Sequence, residues 1–182
     1  MSHPSDKIAT EVIAFWREAG PGKWFNGGAA FDEECRQHFG DVHMAAARRE
    51  LDSWMDTPDG ALALLLLLDQ IPRNIFRGSG HAFATDGLAL QHATRAVKAG
   101  LDVHVDESLR AFVYLPFEHC EDMAMQDRSV ALMAPLGASS LGYAHAHRNV
   151  IKRFGRFPHR NAALGRTNTT EEQDWLDAGG GF

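Results

Sequence analysis

Three groups of polar residues interrupt otherwise apolar helical stretches, and their types suit anion binding and proton transfer. The first is Asp69-Gln70 with Arg73, Asn74 and Arg77. Asp69 and Arg73 are four apart and can pair along a helix, while Gln70, Arg73, Asn74 and Arg77 share one face. This face reads either as a helix-end ion pair that also caps carbonyls freed by Pro72, or as one wall of a pocket. The second group is Tyr114-Leu115-Pro116-Phe117-Glu118-His119-Cys120-Glu121-Asp122. On a helix starting after Pro116, the spacing puts Glu118, Glu121 and Asp122 on one face. Acids in a first turn suit the helix dipole without any function. Their functional reading is a general base, or an anchor for a cation, with His119 or His147 as proton partner.

The third group is the stretch His147–Arg166. It holds Arg148, Lys152, Arg153, Arg156, Arg160 and Arg166, two histidines (His147 and His159) and no acid. The chain has 18 Lys+Arg against 24 Asp+Glu and a net charge of −6, so this stretch is a cationic island. Such an island pairs with acids of its own fold or receives an anion from outside. Guanidinium is a fixed fork that grips carboxylate or phosphate through two bonds. Arg153, Arg156, His159, Arg160 and Asn161 are therefore candidate ligand-holding residues, together with Asp69, Arg73, Asn74, Arg77 and Tyr114. Glu118, His119, Asp122 and His147 are the candidates for proton transfer. The charge complementarity of the second and third groups equally predicts internal pairing.

A metal site could draw on these acids with His119 and His147, but HExxH, paired ExxH and CxxC are all lacking, so none is expected. No cofactor is expected either. Cys120 lacks the cationic setting that makes a reactive thiolate. Gly78-Ser79-Gly80 is a loop, because no strand precedes it.

The elements that must position these groups read as helices throughout. Pro4 suits a first helical turn, and Gly20-Pro21-Gly22 ends that helix, with Ile8, Val12, Phe15 and Trp16 inward. Trp24 and Phe25 fall in the loop after it and read as a plug between helices. Phe31, Cys35 and Phe39 mark a second helix, which Gly40 is expected to interrupt before a third runs to about Trp54. Thr57-Pro58-Asp59 is a start signal for an apolar central helix, Ala61–Leu68, which Pro72 should kink or end. Further helices are expected over 86–98, from 106 or 108 to Pro116, over 117–133 and up to Phe154. Thr169-Thr170-Glu171-Glu172 is a capping box opening a last short helix. No alternating β pattern is present. The fold expected is all-α: one domain, 1–182, of about eight antiparallel helices.

Net negative charge argues against nucleic acid and membrane-surface partners. No apolar run reaches the roughly 20 residues of a membrane span. No signal peptide is evident, and two cysteines make no disulfide framework, which points to a reducing cytoplasm. His3 reads as tail.

The motifs LLDQIPRN, FRG, AFATD, FVYLPFEHCED, Gln126, RFGRFPHRN and LGRTNTTEE resemble, in that order, those of a bacterial family catalogued as domain of unknown function nine-two-four. The likeness takes in Phe15-Trp16, Trp24-Phe25 and Phe31-Asp32, so it covers nearly the whole chain. It implies an all-helical fold related to the tetratricopeptide-like superfamily and brings no activity, cofactor or partner. The family pattern carries Ser at the position of Cys120, which further weakens a nucleophilic role there. Two functions follow as expectations. One is a pocket formed by all three groups that binds a small anionic molecule, with hydrolysis or proton abstraction as the reaction if it is an enzyme. The other is a non-catalytic helical scaffold for a peptide, a partner protein or a second copy of the chain. Arg156 and Arg160 facing solvent in a cleft would favour the first, and their pairing with Glu118, Glu121 or Asp122 the second.

Overall fold

The computed structural model describes residues 4–182, with side chains from Ile8 onward; the histidine at position 3 lies outside the described residues. Every regular element among them is helical. The α-helices are α1 (Pro4–Ala19), α2 (Pro21–Trp24), α3 (Gly28–Ala47), α4 (Pro58–Leu65), α5 (Ile71–Ile75), α6 (Asp86–Lys98), α7 (Glu107–Glu118), α8 (Met123–Met133), α9 (Ala138–Phe154) and α10 (Thr170–Asp177). α2 and α5 are single turns of four and five residues. The other eight match the expected number.

The chain forms two compact units. The first contains the described residues up to Arg77 together with His81–Pro116. The second contains Gly78–Gly80 and Phe117–Phe182.

Unit 1 is built on α4, whose residues Ala61 to Leu65 are all buried, as its unbroken apolar run requires. Thr57 caps it by accepting from the Gly60 amide at 3.1 Å, with Pro58 in the first turn. The helix neither ends nor breaks at Pro72. It widens into a π-helical stretch, Leu66–Gln70, and runs on as α5. Two carbonyls lose their usual amide here and gain side-chain donors instead. Pro72 has no N–H for the Leu68 carbonyl, and the Thr85 hydroxyl donates to it at 2.5 Å. In the π register the Ile71 amide bonds to the Leu66 carbonyl, and the Leu67 carbonyl accepts from His43 Nδ1 at 2.8 Å.

Gly40 does not interrupt α3, which runs unbroken to Ala47. A glycine inside a helix costs only about 1 kcal/mol relative to alanine, and Phe31, Cys35, Phe39, His43 and Ala46 all bury along one face. Trp24 does plug a gap. Its indole donates to the Trp16 carbonyl at 2.6 Å and its ring stands edge-on to Phe112, with centroids 5.0 Å apart. Trp24 is the last residue of α2 rather than a loop residue. Phe25 is exposed.

Unit 2 centres on Val150, Ile151 and Phe157, with Met123, Phe154 and Trp175 packed against them. Glycine at 155 takes φ 71° and ends α9 in a left-handed turn. The capping box of α10 is complete: the Glu172 amide donates to Thr169 Oγ1, and the Thr169 amide donates to Glu172 Oε2.

Candidate functional site

The first polar group lies in unit 1 and finds its partners there, partly within the group and partly in Asp32, Ala82 and Asp86. Arg73 pairs with Asp86 at 2.8 Å and with buried Asp69 at 3.5 Å, donates to the Ala82 carbonyl, and lies over the Phe83 ring. Gln70 Nε2 donates to Asp69 Oδ2 at 2.6 Å, and Asn74 Nδ2 donates to the Gln70 carbonyl at 3.1 Å. Arg77 makes a two-pronged pair with Asp32 at 2.6 and 2.7 Å. Tyr114, also in unit 1, donates to Asp102 Oδ2 at 2.8 Å, and burial followed by that carboxylate raises its pKa. These partners make buried Asp69, Asn74 and Tyr114, half-buried Arg73 and exposed Arg77 a framework for α5, α6 and α7. Unit 1 also carries an open hollow of about 720 Å³ bordered by Ser53, Trp54, Asp56, Asp59 and His104. None of the candidate residues borders it.

The second group does not occupy one helix face. α7 continues through Pro116 to Glu118, and a new helix starts only at Met123. Glu118 therefore ends one helix. Asp122 begins the next, accepting from the Met125 amide at 3.0 Å as an N-cap. Gln126, fully buried, secures the turn between them by donating to the carbonyls of Glu118 and Cys120 at 2.6 and 2.7 Å. Glu121 turns the other way. It takes both prongs of Arg166 at 2.7 and 2.9 Å and the Phe157 amide at 2.8 Å. Burial raises its pKa, but the Arg166 bonds, the Phe157 amide and the nearby Arg166 and Arg160 charges outweigh that and leave it lowered.

In the third group most arginines meet acids of unit 2, and the partners are largely not those the sequence suggested. Arg156 grips Glu172 at 2.6 and 2.7 Å and donates to the Thr167 carbonyl at 2.9 Å. This pair holds the Glu172 carboxyl down at about 2. Arg153 meets Glu171 at 2.8 Å and Arg148 meets Asp127 at 2.5 Å. Asn161 donates to Asn168 Oδ1 at 2.7 Å and accepts from Arg166 Nε at 2.7 Å. Glu171 and Glu172 were missed as partners because they lie outside the basic stretch and Glu172 already had a role as a cap, whereas Arg166 belongs to that stretch and had no partner assigned.

One constellation in unit 2 remains, drawn from three separate segments. His147 Nδ1 lies 2.9 Å from the Tyr143 carbonyl and 3.3 Å from Glu118 Oε1. Both neighbours are acceptors, so the proton sits on Nδ1 and Nε2 carries the lone pair. The His119 ring lies 6.1 Å from that of His147. The Phe157 ring packs edge-on to His147 at 5.6 Å and lies 5.6 Å from His159. Arg160, buried, donates to the His119 carbonyl at 3.0 Å and lies 4.4 Å over the Phe157 ring. Burial, then the positive charges of His119, Arg160 and His159, push the His147 pKa down to about 3, against the opposing pull of the Tyr143 carbonyl. His147 is thus a neutral ring set among His119, His159 and Arg160, with the Glu118 carboxylate against it. Its close contact with Glu118 is a shared N–H rather than an ion pair.

Among the described residues no three His, Cys, Asp or Glu side chains are grouped to hold a metal. No helix is long and apolar enough to cross a membrane among them. Neither cysteine is in a disulfide, and burial, ahead of Asp32 and Glu34, raises the Cys35 thiol to about 12.

The fold is shared with the solved structure of a protein of unknown function, ATU0120, from Agrobacterium tumefaciens. That protein is 50% identical in sequence, and the match covers 96% of this chain and 99% of that one with a TM-score of 0.93. None of the curated proteins matches. The model of the bacterial proteins of unknown function DUF924 matches residues 12–180, so the chain belongs to that family.

Proposed function

We propose that the chain is a binding protein for a small anionic molecule, a carboxylate or phosphate, held in unit 2 by His119, His159 and Arg160 beside His147. The observation that carries this reading is the convergence of His119, His159 and Arg160, from two other segments, on the buried His147 imidazole. An anion placed there would be drawn by the Arg160 guanidinium. Arg73, Arg153 and Arg156, which the sequence offered as further grips, serve the framework instead. Binding is favoured over hydrolysis, because Asp122 serves as a helix N-cap and Glu118 lies against the His147 N–H. A cytoplasmic location, suggested by the thiols, is part of this proposal.

The pairing of Arg153 with Glu171 and of Arg156 with Glu172 supports a second reading, a helical scaffold for a peptide or partner protein. Titration with acetate and inorganic phosphate, followed by histidine ring NMR shifts, separates the two. The anion reading expects saturable shifts at His119 and His159, reduced in His159→Ala. Unmoved histidine signals at millimolar anion would overturn it and leave the scaffold.

A further inference from the structure

We propose that the ring-lined surface formed by His147, Phe157 and His159 is a subsite for an aromatic group carried on an anion, and that Phe182 fills it as an internal stand-in. This rests on the anion-binding reading of the same unit and names the class of ligand.

The Phe182 ring lies parallel to His147, with centroids 3.7 Å apart and planes 9° apart. Phe157 and His159 present edges to it at 6.3 and 5.6 Å, each at 85°. The two perpendicular neighbours are an arrangement that aromatic quadrupoles favour, while the parallel contact with His147 is a close face-to-face stack that buries both contacting faces. His147, held neutral, offers that face without the hydration a charged ring would keep. Phe182 is nevertheless 56% exposed, whereas Phe157 beneath it is fully buried. It is therefore a cover on the surface rather than part of the core.

The path of residues 179–182 is specific. The Gly180 amide donates to the Trp175 carbonyl at 2.9 Å, and a Cβ on Gly180 would fall 2.3 to 2.6 Å from three atoms of the Trp175 indole. Only glycine lets the backbone lie that close. Gly179 and Gly181 have φ of 85° and 143°, which other residues rarely adopt. Three consecutive glycines also regain much backbone freedom on release, so the ring they deliver is displaceable. Phe157 joins the two halves of the subsite. Its ring borders Phe182 on one side and the Arg160 guanidinium on the other. A molecule joining a ring to a carboxylate or phosphate matches both halves.

The test titrates phenylacetate, acetate and benzyl alcohol into the wild type, Phe182→Ala and Gly180→Ala by calorimetry. Gly180→Ala pushes the segment off Trp175 without altering the ring-lined surface. If Phe182 covers the subsite nine-tenths of the time, both variants bind phenylacetate about tenfold tighter than the wild type. Acetate affinity is then the same in all three proteins. Equal phenylacetate affinity in all three, with acetate still bound, overturns the aromatic subsite and leaves the anion reading intact. Benzyl alcohol gaining as much as phenylacetate, with acetate unbound, overturns the anionic ligand class. No binding of any probe overturns both readings.

Discussion

His147 and Glu118 share one proton position: the Nδ1 of His147 is 3.3 Å from Glu118 Oε1, with the Tyr143 carbonyl at 2.9 Å. A ring nitrogen facing two acceptors must be the protonated one. Nitrogen-15 NMR of the histidines should therefore find residue 147 as the neutral Nδ1–H tautomer, unchanged from neutral pH down to about pH 4. A titration midpoint near 6.5 at this residue would contradict a ring kept neutral chiefly by burial.

The same depressed pKa has a consequence for stability. Below about 6.5 the unfolded chain takes up a proton on residue 147 that the folded chain refuses until about 3. Stability is fully present above 6.5 and falls as pH drops through that window. His43 and His92 are lowered in the same direction by burial. Glu172 adds to the loss only below about 4.5, its ordinary value, because Arg156 holds it near 2. Between 6.5 and 4.5 the variant His147→Gln should show a flatter decline in urea-denaturation stability. The slope removed is at most about 1.4 kcal/mol per pH unit.

Thr85 replaces a hydrogen bond that Pro72 cannot supply. Thr85→Val should destabilise by about 1–3 kcal/mol, since it leaves the buried Leu68 carbonyl without a donor. Thr85→Ser keeps the hydroxyl and should lose much less. A loss in Thr85→Ser as large as that in Thr85→Val, measured by denaturant unfolding, would show that the hydroxyl is worth no more than the methyl group.

Two arginines three residues apart should behave differently. Arg153 and Glu171 are both more than half exposed, so Arg153→Ala should cost about 0–1 kcal/mol. Arg156 holds a carboxylate that is almost fully buried and also caps the last helix. Arg156→Ala should lower the melting temperature distinctly more than Arg153→Ala. It should also leave acetate binding unchanged, which separates a framework arginine from a ligand arginine.

The helices with local signals were legible. Thr57-Pro58 and Thr169 to Glu172 carry their caps within four residues, and the structure uses both. The errors came where packing outweighed a local preference. Gly40 stays helical because its helix buries an aromatic face. Pro116 stays inside α7 although it lacks an amide. That second misreading carried the site with it, since starting a helix at Phe117 wrongly aligned Glu118, Glu121 and Asp122. The acid–base complementarity of the second and third groups was legible and is realised in Glu121 with Arg166. The choice of Glu172 for Arg156 was not, because it depends on the path of the chain between them. Nor was Phe182 on His147, which depends on a glycine backbone lying against an indole.

The π-helical stretch at Leu66–Gln70 also governs which changes in length this chain can tolerate. A π turn holds one more residue than an α turn, so deleting a single leucine from Leu66–Leu68 would let the segment rewind as ordinary α-helix. The wide turn absorbs its extra residue, so the helix after the deletion would keep nearly its original phase. Arg73 would still face Asp86, and the leucine before Asp69 would still present its bare carbonyl toward Thr85. A one-residue deletion in this leucine run should therefore be better tolerated than one within α3, where everything that follows would rotate by about 100°.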